Sequence, residues 1–282
     1  MKIGLIDVDG HHYPNLALMK LSAWHKSQGD TVEWWWGWGQ YDRVYMSKVF
    51  DETYTPDIPE PVNATEIIKG GTGYGLENKL PDEIEHIYPD YSLYQELTKD
   101  TAYGFLSRGC PRGCPFCIVV EKEGRRSVKV ADLSDWWRGQ KNIVLMDPNT
   151  LACPEHLELL GQLANSGAWV DINQGADARL LTEDNIAALN RVKLKTIHFA
   201  WDMMEQSEAV LRGLRLYAEH GAIQDHRRRL VYVLTNYGTT MEENLYRIYT
   251  LRDMGYDPYV MIYDKPHAPK KLECSKDGAT TG

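Results

Sequence analysis

Cys110, Cys114 and Cys117 fall within eight residues, in the stretch Gly109-Cys110-Pro111-Arg112-Gly113-Cys114-Pro115-Phe116-Cys117, with the spacing C-x3-C-x2-C. Three thiols this close cannot all pair as disulfides, and the interleaved Pro and Gly make the stretch a loop rather than a helix. Such a loop can wrap its sulfurs around one soft metal centre, as iron–sulfur clusters are held by closely spaced thiolates. Structural zinc asks for four ligands, usually as two separated pairs. Here no fourth Cys or His stands close by. A set one ligand short suits a [4Fe-4S] cluster with one iron open to a substrate or cofactor.

Composition bounds the rest. With 282 residues there is room for one large or two modest domains. Hydrophobic content of 43% and charged content of 25% describe an ordinary globular chain with enough apolar material for a core. No stretch approaches the length of a membrane-spanning helix. The opening Met1-Lys2-Ile3-Gly4-Leu5-Ile6-Asp7 meets an acid too soon for a secretory signal. A cytoplasmic protein is expected, in which clustered cysteines read as metal ligands. The net charge of −9 does not indicate a broad nucleic-acid surface, although a local basic patch stays open. Nine Trp and seventeen Tyr against four Phe point to aromatic surfaces with polar edges, at a pocket or an interface.

The elements that must position the cysteine loop follow from periodicity. Lys2–Val8 reads as a buried parallel strand, Leu16–Gln28 as a helix, and Thr31–Trp36 and Arg43–Phe50 as further strands. Ile67-Ile68 leads into the glycine-rich Lys69–Gly75, which fits a tight turn as well as a ligand site, because it has neither P-loop nor dinucleotide spacing. This is a small open α/β sheet of Rossmann-like character. Alternation places Trp34 and Trp36 on one face of the second strand and Trp35 on the other. Residues 76–100 are polar and acidic, with Pro81 and Pro89, and read as a linker with a short helix. A domain boundary is expected near residue 98.

Ala102–Leu106 is the strand that delivers the cysteines. Strands then alternate with helices: Asn142–Met146, Pro154–Ser166, Trp169–Gln174, Thr182–Arg191, Thr196–Trp201, Glu205–Glu219, Arg229–Thr235, Met241–Met254 and Pro258–Tyr263. Six strands joined by helical crossovers predict a parallel sheet covered by helices on its outer side. Ligands of such sheets sit beyond the carboxyl ends of the strands. The stretch His226-Arg227-Arg228-Arg229 falls at the opposite end and reads as a solvated turn. Cys153, alone, reads as a small buried hydrophobe. Residues 267–282 form a polar tail that holds Cys274.

The C-x3-C-x2-C loop, with aromatic Phe116 just before its last cysteine, resembles the signature loop of the radical S-adenosylmethionine superfamily. The resemblance implies that Cys110, Cys114 and Cys117 hold a [4Fe-4S] cluster. It implies that S-adenosylmethionine binds the open iron, and that a reductant such as flavodoxin or ferredoxin supplies the electron. It extends over roughly residues 100–264, as a partial (β/α)6 barrel within 99–266. Phe116 matches the position whose backbone faces adenine. Asp147 and Asn149 stand where a short motif accepts the methionine ammonium, although its usual Gly-Gly-Glu form is absent. Asn173 and Arg179 follow the third strand. Arg179 can grip the methionine carboxylate, or pair with Asp177 or Glu183. Asp202 is suited to ribose hydroxyls, and Asn236 and Ile262 lie on the adenine side.

Residues 1–98 resemble a shortened cobalamin (B12)-binding domain. The family pattern D-x-H-x-x-G, S-x-L, G-G is met by Asp9-Gly10-His11-His12-Tyr13-Pro14, Ser47-Lys48-Val49 and Gly70-Gly71. Pro14 and Val49 depart from it, which weighs against bound cobalamin and against His11 as an axial ligand. The expectation is a radical S-adenosylmethionine enzyme of unstated substrate. A methyltransferase fits only if cobalamin binds, and the absence of further cysteines in 1–98 weighs against methylthiolation. Two other readings stand beside it: a non-catalytic iron–sulfur carrier or sensor, and a binding module whose Trp-rich N-domain captures a partner.

Overall fold

The computed structural model describes residues 1–269; Cys274 and the polar tail from residue 270 lie outside the described residues. The chain divides into two compact units. The first comprises Met1–Tyr103 with Ser134–Gln140, and the second Gly104–Leu133 with Lys141 onward. Both are α/β with parallel sheets.

The first unit holds β1 (Lys2–Asp7), α1 (Leu16–Ser27), β2 (Thr31–Trp34), β3 (Tyr41–Ser47) and β4 (Ala64–Gly70), with strand order β2-β1-β3-β4. Every pairing in it is parallel. The Asn15 side chain accepts the Leu18 N–H and starts α1. Alternation along the strands splits the core. Ile3, Leu5 and Tyr45 pack with Leu18 and Leu21 of α1, while Ile6, Val44 and Met46 pack on the other face with Tyr41. β2 stops two residues short of the expected end. Trp34 joins the first cluster and Trp35 the second, whereas Trp36 is 52% exposed. Trp34 and Trp36 therefore do not share a face. The chain turns away through Gly37-Trp38-Gly39, with Gly39 at φ +96°.

The stretch expected as a linker is part of this unit's core. It carries α2 (Asp82–Glu85) and α3 (Gln95–Thr98), and Leu80, Ile84, Ile87 and Leu93 pack into the α1-side cluster. Pro81 and Pro89 break the segment into short pieces, which hid the spacing of those apolar residues. The boundary accordingly falls after Tyr103 rather than near 98. Residues 134–140 return to this unit: the Tyr91 hydroxyl donates to the Trp136 carbonyl at 2.7 Å, and Arg138 covers the Tyr88 ring at 3.7 Å.

The second unit is built on a six-stranded sheet whose edge strand, β5 (Thr101–Gly104), crosses the division. After β5 come β6 (Ser107–Arg108), α4 (Val119–Glu123) and β7 (Val128–Lys129), then β8 (Asn142–Leu145), α5 (His156–Ser166), β9 (Trp169–Ile172), α6 (Glu183–Arg191), β10 (Leu194–Ala200), α7 (Ser207–His220), β11 (Arg229–Thr235), α8 (Met241–Asp253) and β12 (Asp257–Ile262). The strand order is β12-β11-β10-β9-β8-β5, and β8 through β12 run parallel. Each expected strand and helix is present, with ends shifted by one or two residues. Thr182 and Thr240 form capping boxes that start α6 and α8. One face of the sheet is apolar, with Ile197, Phe199, Val231 and Val233 fully buried, and Phe199 meets Tyr217 of α7. The other face carries Thr196, His198, Tyr232 and Tyr259, of which His198 and Tyr232 stack at 5.2 Å. Among the described residues no helix is long and apolar enough to cross a membrane.

Candidate functional site

The cysteine loop is a closed excursion. β6 and β7 pair antiparallel at its base, a ladder that the sequence did not announce. Above the ladder, Glu123 accepts the Gly109 N–H and an Arg108 N–H, each at 3.0 Å, and the Cys110 N–H donates to the Gly124 carbonyl at 3.1 Å. Gly109 sits at φ +87°, and a Cβ there would lie 2.0 Å from the Arg126 carbonyl oxygen. Only glycine permits both.

Asp147, beyond β8, holds the approach to the loop. Its carboxylate accepts the N–H groups of Leu106 (2.7 Å) and Ser107 (2.9 Å) and the Ser107 hydroxyl (2.6 Å). Burial pushes its carboxyl up to about 6, against these hydrogen bonds. Its side chain is engaged by protein, so any contact with a cofactor passes through the backbone.

Asn149 touches the loop itself. Its Nδ2 lies 3.5 Å from the Cys110 sulfur and 3.4 Å from Asp177, and its Oδ1 is buried without a donor. Asp177, on the turn after β9, is gripped from two sides. Arg179 donates to its Oδ1 at 2.8 Å and to its Oδ2 at 3.2 Å, and Arg112, from between the cysteines, also donates to Oδ2. Burial alone would raise the Asp177 carboxyl, but the two guanidiniums hold it below the usual carboxylate range. Arg179 also donates to Gln206. Of the two roles open to Arg179, the structure displays the ion pair with Asp177. Gly213 of α7 seats the helix against this turn, since a Cβ there would meet the Ala178 carbonyl at 1.7 Å.

On its other side the loop meets aromatics. The Phe116 ring contacts Tyr237 at 5.3 Å, and Tyr237 contacts Tyr263 at 4.8 Å. Asn236 takes φ +64° and donates to the Tyr263 carbonyl at 2.8 Å, so the segments after β11 and β12 are tied together beside Ile262. Asn173 lies apart from this group, its carbonyl accepting the Tyr232 hydroxyl at 2.7 Å.

Asp202, after β10, accepts the Leu234 N–H at 3.1 Å, and the charges of Arg247 and Arg179 act on it. Burial outweighs these influences and raises its carboxyl to about 6. A raised carboxyl binds its proton more tightly when folded. The contribution of Asp202 to stability is therefore fully present below the unfolded value of about 3.9 and is lost as pH rises through about 6, by on the order of 2 kcal/mol from pH 4 to pH 7. Asp202→Asn keeps the acceptor for Leu234 and should remove this dependence. Urea unfolding of both proteins at the two pH values checks it; identical pH slopes would contradict the assignment.

Arg112, Gln206, Glu123 and Arg247 were not anticipated as site residues. For Arg247 there was a signal. It falls on the inward stripe Asn244, Ile248, Leu251 of α8, where a cation is out of place unless it is bonded.

The three thiols are free, as is buried Cys153, whose sulfur donates to Glu155 at 3.2 Å. Burial pushes the Cys114 and Cys117 thiols up, so metal binding would release protons. Among the described residues no three His, Cys, Asp or Glu side chains converge as a metal site. The three thiols form an all-sulfur donor set on one loop, with an N–H donor at one of them. In the first unit His11 lies 4.2 Å from the Trp34 ring, within the chain's own aromatic cluster. Cβ atoms at Gly71 and Gly73 would meet the Lys48 and Phe50 carbonyls at 2.3 and 2.2 Å, so these glycines serve close backbone packing. No protein-family model matches the chain, and no curated protein matches it.

Proposed function

We propose that the second unit is a partial barrel of the radical S-adenosylmethionine type and that the protein is an enzyme of that class. The observation that carries the reading is the set of three free thiols on one glycine-bounded loop, beyond the carboxyl ends of a parallel sheet. A [4Fe-4S] cluster on Cys110, Cys114 and Cys117, reduced by a flavodoxin or ferredoxin, would supply the electron that splits S-adenosylmethionine into methionine and a 5′-deoxyadenosyl radical. The protein's own groups bind and orient. The buried Oδ1 of Asn149 lacks a donor and suits an ammonium. Asp202 offers an acceptor to hydroxyls, and the Phe116–Tyr237–Tyr263 group offers a wall for a planar base. Arg179 can take a carboxylate only by giving up part of its hold on Asp177. Cobalamin is not part of the reading, because His11 and the first unit's glycines are used within the chain.

The test is anaerobic reconstitution with iron and sulfide, then reduction by dithionite with S-adenosylmethionine. The expected product is 5′-deoxyadenosine, absent from Cys114→Ala. Bound iron with no product would favour a non-catalytic iron–sulfur carrier, and no bound iron would end both readings.

A further inference from the structure

The amino-terminal edge of the second unit's sheet carries cations that, among the described residues, form no ion pair with a carboxylate. The residues at issue begin three neighbouring strands: Trp169 on β9, Lys193 and Lys195 at β10, and Arg228 just before β11. Lys195 is the extra residue of a β-bulge, since Leu194 pairs with Val170 and Thr196 with the adjacent Asp171. A bulge re-aims a side chain and leaves backbone groups unpaired by the ladder. Arg228 takes up the carbonyls here, donating to Lys195 at 2.9 Å and to Leu194. Its partners are backbone carbonyls, so its charge stays uncancelled. Of the acids nearby, Asp225 is engaged by Arg227, whereas Asp171 keeps its charge beside Thr196 without pairing to these cations. Asp171 takes the Thr196 hydroxyl at 2.6 Å and faces His198 at 3.4 Å, and Asp225 holds Arg227 at 3.0 Å. The stretch read as a solvated turn is thus half structural, and Arg229 too is buried, donating to the Gly255 carbonyl.

Between these cations lies a groove of about 490 Å³, lined by Asn142, Trp169, Lys195, Thr196 and Arg228. The Trp169 side chain is 41% exposed, with the Lys193 ammonium 4.4 Å and the Arg228 guanidinium 5.8 Å from its ring centre. We propose that this groove docks single-stranded nucleic acid, with phosphates on Lys193, Lys195 and Arg228 and a base on the Trp169 ring. Charge complementarity at this local cluster selects a polyanion, against the long-range field of a chain of net charge −9. The exposed indole selects a single strand, because only unpaired bases present a free face for stacking. Lys193 is exposed on a flexible stem and can leave the ring for a phosphate when a base takes its place. The site stands independently of the proposed chemistry, which belongs to the opposite ends of the same strands.

Fluorescence anisotropy of the full chain with a labelled oligouridine of about twelve nucleotides tests this. Three phosphate contacts predict about 20-fold weaker binding at about 200 mM than at about 50 mM salt. Lys193→Ala/Lys195→Ala should weaken binding at least about 10-fold and flatten the salt dependence. Trp169→Ala should weaken it about 5- to 100-fold, with Trp169→Phe retaining most of the affinity. Arg212→Ala/Arg215→Ala removes the same charge from exposed positions of α7 and should bind as the unaltered protein does. Melting curves establish that each variant is folded. No binding by the unaltered protein, or equal loss in both double variants, would overturn the proposal. Heparin bound with the same lysine dependence, and Trp169→Ala without effect, would reduce the groove to a general polyanion or acidic-protein patch.

Discussion

Gly109→Ala is expected to collapse the cysteine loop. At φ +87° an L side chain is strained, by about 1–2 kcal/mol. The greater term is steric. The new methyl would lie 2.0 Å from the Arg126 carbonyl oxygen, which is backbone and cannot swing aside. Relieving the overlap pulls Gly109 away from Glu123 and the Cys110 N–H away from Gly124, and with them the closure of the loop. The sum is roughly 4 kcal/mol, among the larger single-residue effects. Gly113→Ala is the control. It also has positive φ (+61°), but its nearest neighbour is the guanidinium end of Arg125 at 3.0 Å, which can move. It should cost only about 1 kcal/mol. Alkylation rates of Cys110, Cys114 and Cys117 report the result: a large acceleration in Gly109→Ala and little in Gly113→Ala. Equal rates in all three proteins would show that the loop is not braced at Gly109.

Arg247→Met is expected to destabilise the second unit more than any other substitution on α8. The Arg247 side chain is fully buried and donates to the carbonyls of Trp201 (2.8 Å), Asp202 (2.9 Å) and Leu234 (2.8 Å), and to Asn244 Oδ1 (2.6 Å). These carbonyls lie at the carboxyl ends of β10 and β11, so one guanidinium spaces the two strand ends that hold Asp202. Methionine fills the volume but supplies no donor, and Asp202 loses a favourable charge. Leaving buried partners unpaired costs about 3–5 kcal/mol, or about 6–20 °C of melting temperature at this size. Arg247→Lys should recover little, because an ammonium cannot reproduce the fork. A second consequence separates the charge from the packing: the Asp202 carboxyl should rise further, moving its pH transition above about 6. A melting temperature within about 2 °C of the unaltered protein would mean that water replaces the guanidinium.

Much of the chain can be read locally. The cysteine spacing, the capping residues Thr182 and Thr240, and the alternation of apolar runs are patterns within a few residues, and the structure forms its elements where those patterns lie. Strand ends moved where a tertiary partner decided them. β2 ends at Trp34 because Trp34 and Trp35 have cores to enter and Trp36 has none. The stretch from Leu80 to Leu93 shows the limit of local reading, since its apolar residues become a core only when the first unit's sheet and α1 stand beside them.

The candidate site divides in the same way. Sequence alone determined that three thiols share one loop at the end of a strand, and that the loop belongs to a unit of alternating strands and helices, because chain distance and hydrophobic period are local quantities. Only the tertiary structure decided what braces that loop: Asp147 on Leu106 and Ser107, Arg112 on Asp177, and Asn149 on Cys110. It likewise decided that Arg228 caps a bulge beside an exposed Trp169. These partners stand 39 to 65 residues apart for the loop and 33 apart for the bulge. Their pairing is set by strand order and register, which arise from burial summed over the whole sheet and are written in no single stretch of the chain.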